Sequence, residues 1–487
     1  MTQFQTIREI HDAYDKRKFS VMEFTQEYLA SVKASKHGAF LTLCEERAFA
    51  QAKAADAILA KEGKVPRASR PLLGVPMGIK DILLIDGVRT TCASKIIENY
   101  VAPYTATAVE RLETAGALTL GKLNLDEFAM GGSNENSAFG PVLHPTHPDR
   151  VPGGSSGGSA TAVKAGLCHA SLGTDTGGSI RLPASYCGIV GVKPTYGRIS
   201  RFGQVAFASS LDQIGPMTHS VEDAALLLDV MCGHDPLDST SSSLPRMNAF
   251  QATQKRPDWK QMRIGIPKEY FIGGLNPDVE KAIQSSMKWF EAQGAKLVPV
   301  SLPHTQYAVA IYYIVAVSEA SSNLARFDGV RFGVRPVDAN DAKDLAGFYK
   351  HVRAAFGPEV KRRIILGTFA LSSGYSDAYY KRACQVRRKV KQDFDQAFEQ
   401  VDLIMGPVSP TTAFKLGEKS KDPLQMYLND IFTIPANLAG LPAMSLPCGK
   451  DSIGLPIGLH LMAPLFGEER LVSVAHDFET HSGMGRI

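Results

Sequence analysis

Two short stretches rich in glycine and serine constrain the fold of this chain more than any other feature. Residues 150–160 read RVPGGSSGGSA and residues 173–183 read GTDTGGSIRLP. Glycine adopts backbone dihedrals that other residues avoid, and it lets another backbone approach closely. Each stretch therefore predicts a tight loop around one serine, Ser155 or Ser179. Such a loop can bind phosphate, present a nucleophile, or support a nucleophile held by the other loop.

The rest of the chain has the pattern of an α/β protein. Residues 5–62 predict helices, with Ser20 as an N-cap and Glu23 three residues later. Between 70 and 250, β-prone runs such as LLGVPMGI, ALTLGKL and CGIVGV alternate with glycine turns and helices. The runs RIGIP, KLVPVSL, DLIMGP, AMSLPC and GLHLMAP predict further strands, and 304–400 is mostly helical. We therefore expect one large mixed sheet covered by helices on both faces.

Composition allows a large core and excludes unaided nucleic-acid binding. Of 487 residues, 44% are hydrophobic, and the formal net charge is +4. The basic clusters at 361–363 and 387–391 predict solvated helix faces, because phosphate binding usually needs a longer basic stripe. We expect a single domain: N-terminal helices at about 1–65, a catalytic core at 66–250, an α/β elaboration at 260–400 and closing elements at 401–487.

Cysteine usage and the absence of a leader pattern predict a cytoplasmic protein. The seven cysteines are scattered without a CxxC pair, as expected of small buried residues in a reducing compartment. The first residues carry charge from Arg8 onward and contain no apolar signal core. The longest apolar run, at 307–317, is too short to span a bilayer and predicts a buried helix.

Several motif matches fail on chemical grounds. GALTLGKL has the spacing of a phosphate-binding loop, but Leu123 replaces the hydroxyl that must hold magnesium. Asp175-Thr176-Gly177 resembles an aspartic protease loop, yet no second copy exists to share the proton. His144 and His147 lie in a proline-rich loop without nearby cysteine, histidine or glutamate, so a metal site is not expected.

One further motif, the nucleophile elbow, fits the sequence better than these three but is also rejected. GGSSG fits the G-x-S-x-G pattern, but loop residues and a proline lead into it where an elbow needs a strand. His460 and His476 are available as partners, although each fits a structural role. Lys80, in GVPMGIKD, follows an apolar run, so it is either a strand-end surface lysine or a buried lysine able to act as a base.

The joint occurrence of GIKD, GGSSGGS and GTDTGGSIR in this order resembles the amidase signature family, which hydrolyses amides. The resemblance covers nearly the whole chain, and it implies the amidase signature fold with a Ser-Ser-Lys triad. Carried over by position, it makes Ser179 the nucleophile, Ser155 the bridging serine after a cis Gly154-Ser155 bond, and Lys80 the base. The backbone amides of Thr176, Gly177 and Gly178 are then the expected oxyanion hole.

Within the family, the chain is most similar to the amidase subunits of tRNA-dependent amidotransferases. Segments such as KLNLDEFAMG, KPTYGRISRFG and MYLNDIFTIPANLAGLPAMSLPCG carry this likeness. It implies glutamine hydrolysis, with ammonia passed to a partner that amidates glutamate or aspartate on a mischarged tRNA. We expect no cofactor here, ATP and Mg²⁺ in the partner, two other subunits in a heterotrimer, and tRNA contact mainly through the partner.

The resemblance also assigns a substrate clamp. Arg363 and Asp430 correspond to the groups that bind the α-carboxylate and α-ammonium of glutamine, with Tyr313 beside them. Two departures are visible: Leu182 stands where glutamine is expected, and GGSNENS stands where GSSTENS is usual. The rival functions are a free-standing amidase of the same family, which would lack the clamp and the partner, and an inactive assembly or nucleotide-binding subunit.

Overall fold

One mixed β-sheet runs through the protein. The computed structural model describes residues 4–271, 273–335, 342, 344–420 and 422–485. The strands are β1 (Phe40–Leu43), β2 (Pro76–Lys80), β3 (Leu118–Leu123), β4 (Ala170–Asp175), β5 (Val190–Lys193), β6 (Gln213–Thr218), β7 (Arg263–Pro267), β8 (Lys296–Val300), β9 (Leu403–Pro407), β10 (Ala443–Lys450) and β11 (Pro456–Met462). Their order across the sheet is β1-β3-β2-β4-β6-β5-β10-β11-β9-β7-β8.

Two parallel groups of strands lie in this sheet. Strand β2 is parallel to β3 on one side and to β4 on the other, and β7 is likewise parallel to β8 and β9. The remaining pairings are antiparallel. Because β2 and β4 are parallel neighbours, their carboxyl ends meet at one edge, and Lys80 ends β2 there.

Helices cover the sheet on both faces. They are α1 (Ile7–Asp15), α2 (Val21–Ala34), α3 (Glu45–Glu62), α4 (Thr107–Thr114), α5 (Gly157–Lys164), α6 (Arg181–Cys187), α7 (Val221–Met231), α8 (Ala249–Thr253), α9 (Pro277–Gln293), α10 (Ala308–Leu324), α11 (Leu345–Arg353), α12 (Pro358–Leu371), α13 (Arg382–Phe398), α14 (Pro423–Tyr427), α15 (Ile434–Ala439) and α16 (Glu468–His481). Every residue of β2 to β6 is buried. Since successive side chains of a strand point to opposite faces, both faces are covered. The predicted fold class is confirmed.

Local sequence signals set the helix ends that were predicted. Ser20 and Glu23 form a reciprocal capping box at α2, and Ser220 caps α7. Asn276 caps α9 with a proline at its first position, and Gly294 ends the helix in the left-handed conformation. These signals act within one turn of helix, which is why they can be read without tertiary information.

Three strands differ from the prediction. Strand β1 lies inside the region expected to be helical, because its four half-buried residues form an edge strand with no alternation to reveal it. Strand β4 ends within GTDTGGSIRLP, so only the first three residues of that stretch are strand and the loop begins at Thr176. Strand β6 pairs with β4 over its whole length. The sequence pattern does not reveal β4 and β6, because both of their faces are buried and such strands lack the alternation of polar and apolar residues.

The middle helices pack against the loops at the edge of the sheet. Helices α10 and α12 approach so closely that a Cβ on Gly367 would lie 1.9 Å from the backbone oxygen of Val317. Helix α10 confirms the buried helix predicted from the apolar run, although Tyr307 precedes it and is 50% exposed. This layer carries Tyr312, Tyr313 and Arg363 towards the loop that follows β4.

The smaller predictions have mixed outcomes. Leu118–Leu123 is the buried strand β3, as the β-prone run ALTLGKL predicted. Six cysteines are buried, but Cys384 is partly exposed. In the basic clusters, Arg363 is buried, which overturns the expectation of a solvated helix face at that position. Of the helices in the described ranges, none combines the length and apolar character needed to cross a bilayer.

Candidate active site

Lys80 lies at the centre of a hydrogen-bonded cluster that includes side chains from both glycine-rich stretches. Its Nζ is 2.7 Å from Ser155 Oγ, 2.8 Å from Ser156 Oγ and 2.9 Å from Thr174 Oγ1. The side chain is fully buried. Strand β2 positions it, because Lys80 is the last residue of a strand enclosed between β3 and β4. Of the two sequence interpretations, the structure supports the buried lysine.

Burial changes the protonation of Lys80. Loss of solvation lowers its pKa to about 7, and the carboxylates of Asp126, Asp175 and Asp212 oppose the shift. A large fraction of the side chain is therefore neutral at physiological pH. A neutral amine keeps a lone pair that accepts a proton from a neighbouring hydroxyl, so Lys80 is equipped to act as a base.

The buried residue Asp126 contacts the loop that carries Ser155. The Gly154-Ser155 bond is cis, as the resemblance implies. The backbone amide of Asp126 donates to Ser155 O at 3.2 Å, and the Asp126 carboxylate accepts from the amides of Asn134 and Asn136 at 2.9 and 3.1 Å. A Cβ on Gly154 would lie 2.1 Å from Asp126 Oδ2, so position 154 requires glycine.

Ser179 lies in the turn between β4 and α6, next to the Ser155 loop. Its backbone oxygen accepts from the Ser156 amide at 3.2 Å, which joins the two glycine-rich stretches directly. Its side chain forms no hydrogen bond with the described residues, and the residue is 8% exposed. The turn is anchored by Asp175, whose carboxylate forms an ion pair with Arg181 at 3.0 Å and accepts from the Ile180 amide. Ser179 is thus held by its backbone while its hydroxyl stays free.

The backbone before Ser179 has unpaired amides. Within the described residues, the amides of Thr176, Gly177 and Gly178 donate to no protein group. Gly178 has φ +144°, a conformation that side chains disfavour. Thr176 Oγ1 donates to the buried carboxylate of Asp212 at 2.8 Å, and Thr433 Oγ1 donates to Gly177 O at 2.7 Å. The loop therefore presents donors and is fixed from both sides.

Arg363 lies buried on α12 beside the rings of Phe207, Tyr313 and Tyr427. Its guanidinium carbon is 5.2 Å from the Tyr313 ring centroid and 5.7 Å from that of Tyr427. Its Nε donates to Glu359 Oε1 at 2.8 Å. The two terminal nitrogens donate to none of the described residues. Because the rings and Glu359 fix the plane of the group, these nitrogens form a preorganised fork for a carboxylate.

Asp430 lies against the loop that contains Ser179. Its Oδ1 is enclosed and has no hydrogen-bond partner among the described residues. A Cβ on Gly178 would lie 2.8 Å from this atom, which places the carboxylate against the loop that contains Ser179. Loss of solvation, followed by repulsion from Asp175, raises the pKa of Asp430 to about 8. At pH 7 the group is therefore mainly the neutral acid, and a cationic ligand group would favour its ionised form, lower this pKa and pair with it.

The departures from the family pattern lie beside Asp430. A Cβ on Gly132 would be 3.5 Å from Asp430 Oδ2 and 3.9 Å from Leu182 Cδ2. Leu182 itself is buried in a small apolar cluster with Val151 and Tyr186. A cleft of about 160 Å³ opens nearby, lined by Gly131, Ser133, Arg363, Met426 and Tyr427 among others. The space beside Asp430 is therefore free of side-chain bulk at Gly132, with Leu182 as an apolar neighbour.

The sequence did not reveal several residues of this site. They are Ser156, Thr174, Tyr312, Glu359, Tyr427 and Thr433. Tyr312 packs so closely that a Cβ on Gly177 would lie 2.7 Å from its ring, and Tyr427 stacks on Tyr313 with ring centroids 3.7 Å apart. Each of the six lies near a predicted site residue in the sequence, which was the available signal. Nothing in their own residue types or spacing marks them out, because their contacts form only when distant segments meet in the fold.

The histidines of the rejected motifs have structural surroundings. His144 is buried beside the Tyr186 backbone oxygen, and burial lowers its pKa to about 4. His460 lies 3.0 Å from the guanidinium of Arg181. In the described part of the chain, no cluster of three or more potential metal ligands is found.

Comparison with known proteins gives one consistent result. A family model described as Amidase matches residues 23–472. A glutamyl-tRNA(Gln) amidotransferase subunit of Geobacter metallireducens is 53% identical over 476 residues, covering 97% of this chain and 96% of the relative. The corresponding subunit of Geobacillus thermodenitrificans is 54% identical over 477 residues, covering 97% and 96%.

Solved structures agree in fold. The corresponding glutamyl-tRNA(Gln) amidotransferase subunit of Thermotoga maritima superposes with a TM-score of 0.78 at 40% identity, covering 96% of this chain and 95% of that one. A peptide amidase of Stenotrophomonas maltophilia gives a TM-score of 0.79 at 27% identity, covering 99% and 97%. The family match and these relatives together assign the chain: it belongs to the amidase signature family of enzymes.

Proposed function

We propose that this chain hydrolyses glutamine as the amidase subunit of a tRNA-dependent amidotransferase. One observation carries the proposal: Asp430, an unpaired carboxyl group, lies against the loop that presents Ser179, and the fixed guanidinium of Arg363 is close enough to act electrostatically on Asp430. Free glutamine has an α-carboxylate and an α-ammonium at one end and a primary amide at the other. Opposite charges bind the first two groups and leave the amide for the nucleophile.

In the proposed mechanism, Ser179 Oγ attacks the amide carbon. Its proton passes to Ser155 Oγ, while the proton of Ser155 passes to the neutral Nζ of Lys80, 2.7 Å away. A new C–O bond forms, and the carbonyl oxygen gains the negative charge. This is a serine–lysine form of the nucleophile–base arrangement, and it needs no histidine.

The oxyanion is stabilised by the amides of Thr176, Gly177 and Gly178. These donors have no competing protein acceptor among the described residues, so they are available as the charge develops. One donor of this kind typically contributes about 2.7–4 kcal/mol to the transition state. The C–N bond then breaks, and ammonia leaves with the proton returned through Ser155. Water adds to the acyl-serine by the same relay and releases glutamate.

The partner assignment extends this chemistry. We infer that the ammonia passes to a partner subunit, which uses ATP and Mg²⁺ to amidate glutamate on tRNA(Gln), aspartate on tRNA(Asn), or both. Support comes from the relatives that are named amidotransferase subunits along nearly the full length of this chain. The free-standing amidase is not favoured, because those relatives are more than half identical. A cytoplasmic heterotrimer that binds tRNA mainly through the partner completes the proposal.

Two glutamine analogues test the substrate assignment. 4-Carbamoylbutanoate lacks the α-ammonium, and 4-aminobutanamide lacks the α-carboxylate, while both keep the primary amide. Each missing charge removes an interaction with a charged group, about 1.5–3 kcal/mol. We therefore expect kcat/KM to fall about 10- to 150-fold for each analogue. Equal hydrolysis of all three amides would contradict glutamine as the substrate and favour a general amidase.

A further inference from the structure

Thr433 joins the proposed oxyanion loop to the segment that carries Asp430. The residue is fully buried. Its Oγ1 is 2.7 Å from Gly177 O and 3.0 Å from Asp430 O, so the nearer Gly177 O is the main acceptor of its single hydroxyl proton. Its backbone amide donates to Asp430 O at 3.1 Å. Its own backbone oxygen accepts from Arg181 Nη1 at 3.0 Å. One residue is therefore fixed to three parts of the site.

The bond to Gly177 has a consequence for the next amide. A peptide unit is planar and trans, so the Gly177 carbonyl and the Gly178 N–H point in opposite directions. Holding the carbonyl towards Thr433 thus directs the Gly178 N–H away from Thr433. Among the described residues, no other group holds this N–H. Without the Thr433 hydroxyl, the peptide would be free to rotate, since two glycines restrict it little.

The fit around Gly178 makes this contact specific. A Cβ on Gly178 would lie 2.3 Å from Thr433 Oγ1, so the hydroxyl is in direct contact with the peptide it holds. Two further hydrogen bonds join the Thr433 segment to the turn that carries Ser179. Arg181 donates to Thr433 O, and Asn437 Nδ2 donates to Asp175 Oδ1 at 2.8 Å. The threonine is therefore held rigidly enough to orient another group.

We propose that Thr433 is a positioning residue that aims the Gly178 amide at the oxyanion. It touches neither substrate nor nucleophile, and it acts through the Gly177–Gly178 peptide. The inference rests on the proposed function, in which Ser179 is the nucleophile and this loop stabilises the transition state. Because the oxyanion forms after substrate binds, loss of the hydroxyl should lower kcat and leave KM nearly unchanged.

Three variants at one position test the role. Thr433→Val keeps the shape and removes the hydroxyl, Thr433→Ser keeps the hydroxyl, and Thr433→Ala is a smaller alternative if valine impairs folding. The control is Thr305→Val, which removes an equally buried hydroxyl bonded to Leu302 O at 2.7 Å outside the site. Glutamine hydrolysis is measured on the full chain in the assembly in which it is purified, with Ser179→Ala alongside.

We expect Thr433→Val or Thr433→Ala to lower kcat about 10- to 100-fold, somewhat less than the loss of a whole oxyanion donor. KM should change less than about threefold, Thr433→Ser should retain most of kcat, and Thr305→Val should match the parent. Unchanged kcat in a folded Thr433→Val or Thr433→Ala protein, or an equal loss in Thr433→Ser, would overturn the inference. If Ser179→Ala hydrolyses glutamine normally, the proposed function fails first.

Discussion

The Nζ of Lys80 and the Oγ of Ser155 lie 2.7 Å apart in a fully buried hydrogen bond. No histidine takes part in this contact. The end of β2 places Lys80 beside Thr174 of β4, and Ser156 anchors the Ser155 loop to the Thr174 backbone oxygen. The pair can accept and return a proton without exposing either group to bulk water. Loss of solvation supplies the basicity, because it disfavours the charged lysine.

The first prediction concerns the proton relay. Lys80→Ala and Ser155→Ala should each remove most of kcat, and the double variant should be little worse than the more damaged single variant. The reason is that one proton path is broken either way. Steady-state kinetics on the three variants and the parent measure this, with circular dichroism to check folding. If the fold-losses of the two single variants multiplied in the double variant, the two residues would act on separate steps.

The second prediction is the pH dependence of kcat. Only neutral Lys80 accepts the proton, and its pKa is lowered to about 7. Activity should therefore rise with pH through about 7 and level off above it. Below that value, kcat should fall about tenfold for each pH unit. A profile measured from pH 5.5 to 9 tests this; a kcat that is flat between pH 6 and 8 would exclude Lys80 as the titrating base.

The third prediction pairs each clamp residue with one substrate group. Asp430→Asn should impair glutamine hydrolysis about 10- to 150-fold yet scarcely affect 4-carbamoylbutanoate, which has no ammonium to lose. Arg363→Gln should impair glutamine similarly and scarcely affect 4-aminobutanamide. Tyr313→Leu should give a smaller loss, because it removes one of the rings packed against Arg363. The measurement is kcat/KM for each enzyme and substrate.

Controls for the clamp come from an exposed ion pair on α13. Lys391→Gln removes its cation and Asp395→Asn removes its carboxylate. Both should retain the parent's activity on glutamine. A loss of selectivity in either control, or losses at Asp430 and Arg363 that are equal for all three substrates, would show that the clamp is misassigned.

The sequence predicts this fold well where the signals are local. The caps of α2 and α9 and the glycine that ends α9 act within one turn, so they could be identified directly. Strand β1 could not, because four half-buried residues at an edge carry no period. The helical pattern of Arg363 likewise fits a solvated charge. Its burial depends on Tyr313 and Tyr427 from other helices, which no local pattern encodes.

The site residues likewise divide into those that the sequence identified and those that it did not. Family resemblance selected Lys80, Ser155 and Ser179, and the structure brings Lys80 and Ser155 into contact, but their catalytic roles stay predictions. Thr433 and Thr174 were not identified, since an isolated threonine has no distinguishing pattern. Their importance comes from hydrogen bonds across segments far apart in the chain, namely Thr433 to Gly177 and Lys80 to Thr174.

The fourth prediction is dependence on partners. Ammonia released into neutral water is mostly protonated, so hydrolysis should be efficient only when a receiving site is occupied. The purified chain should be a poor glutaminase, and its cognate subunits with ATP and mischarged tRNA should stimulate it. Glutamate release with and without these components measures the effect. A high rate from the lone chain, unchanged in the complex, would favour an independent amidase.

The central claim is that Ser179 is the nucleophile, and the most direct test is to identify the acylated residue. Enzyme mixed with glutamine and quenched in acid during turnover should carry a γ-glutamyl group on the peptide that contains Ser179, found by mass spectrometry. Ser179→Ala should give no adduct and no hydrolysis, because no other hydroxyl follows the unpaired amides of the loop. An adduct on Ser155, or hydrolysis retained in Ser179→Ala, would contradict the account.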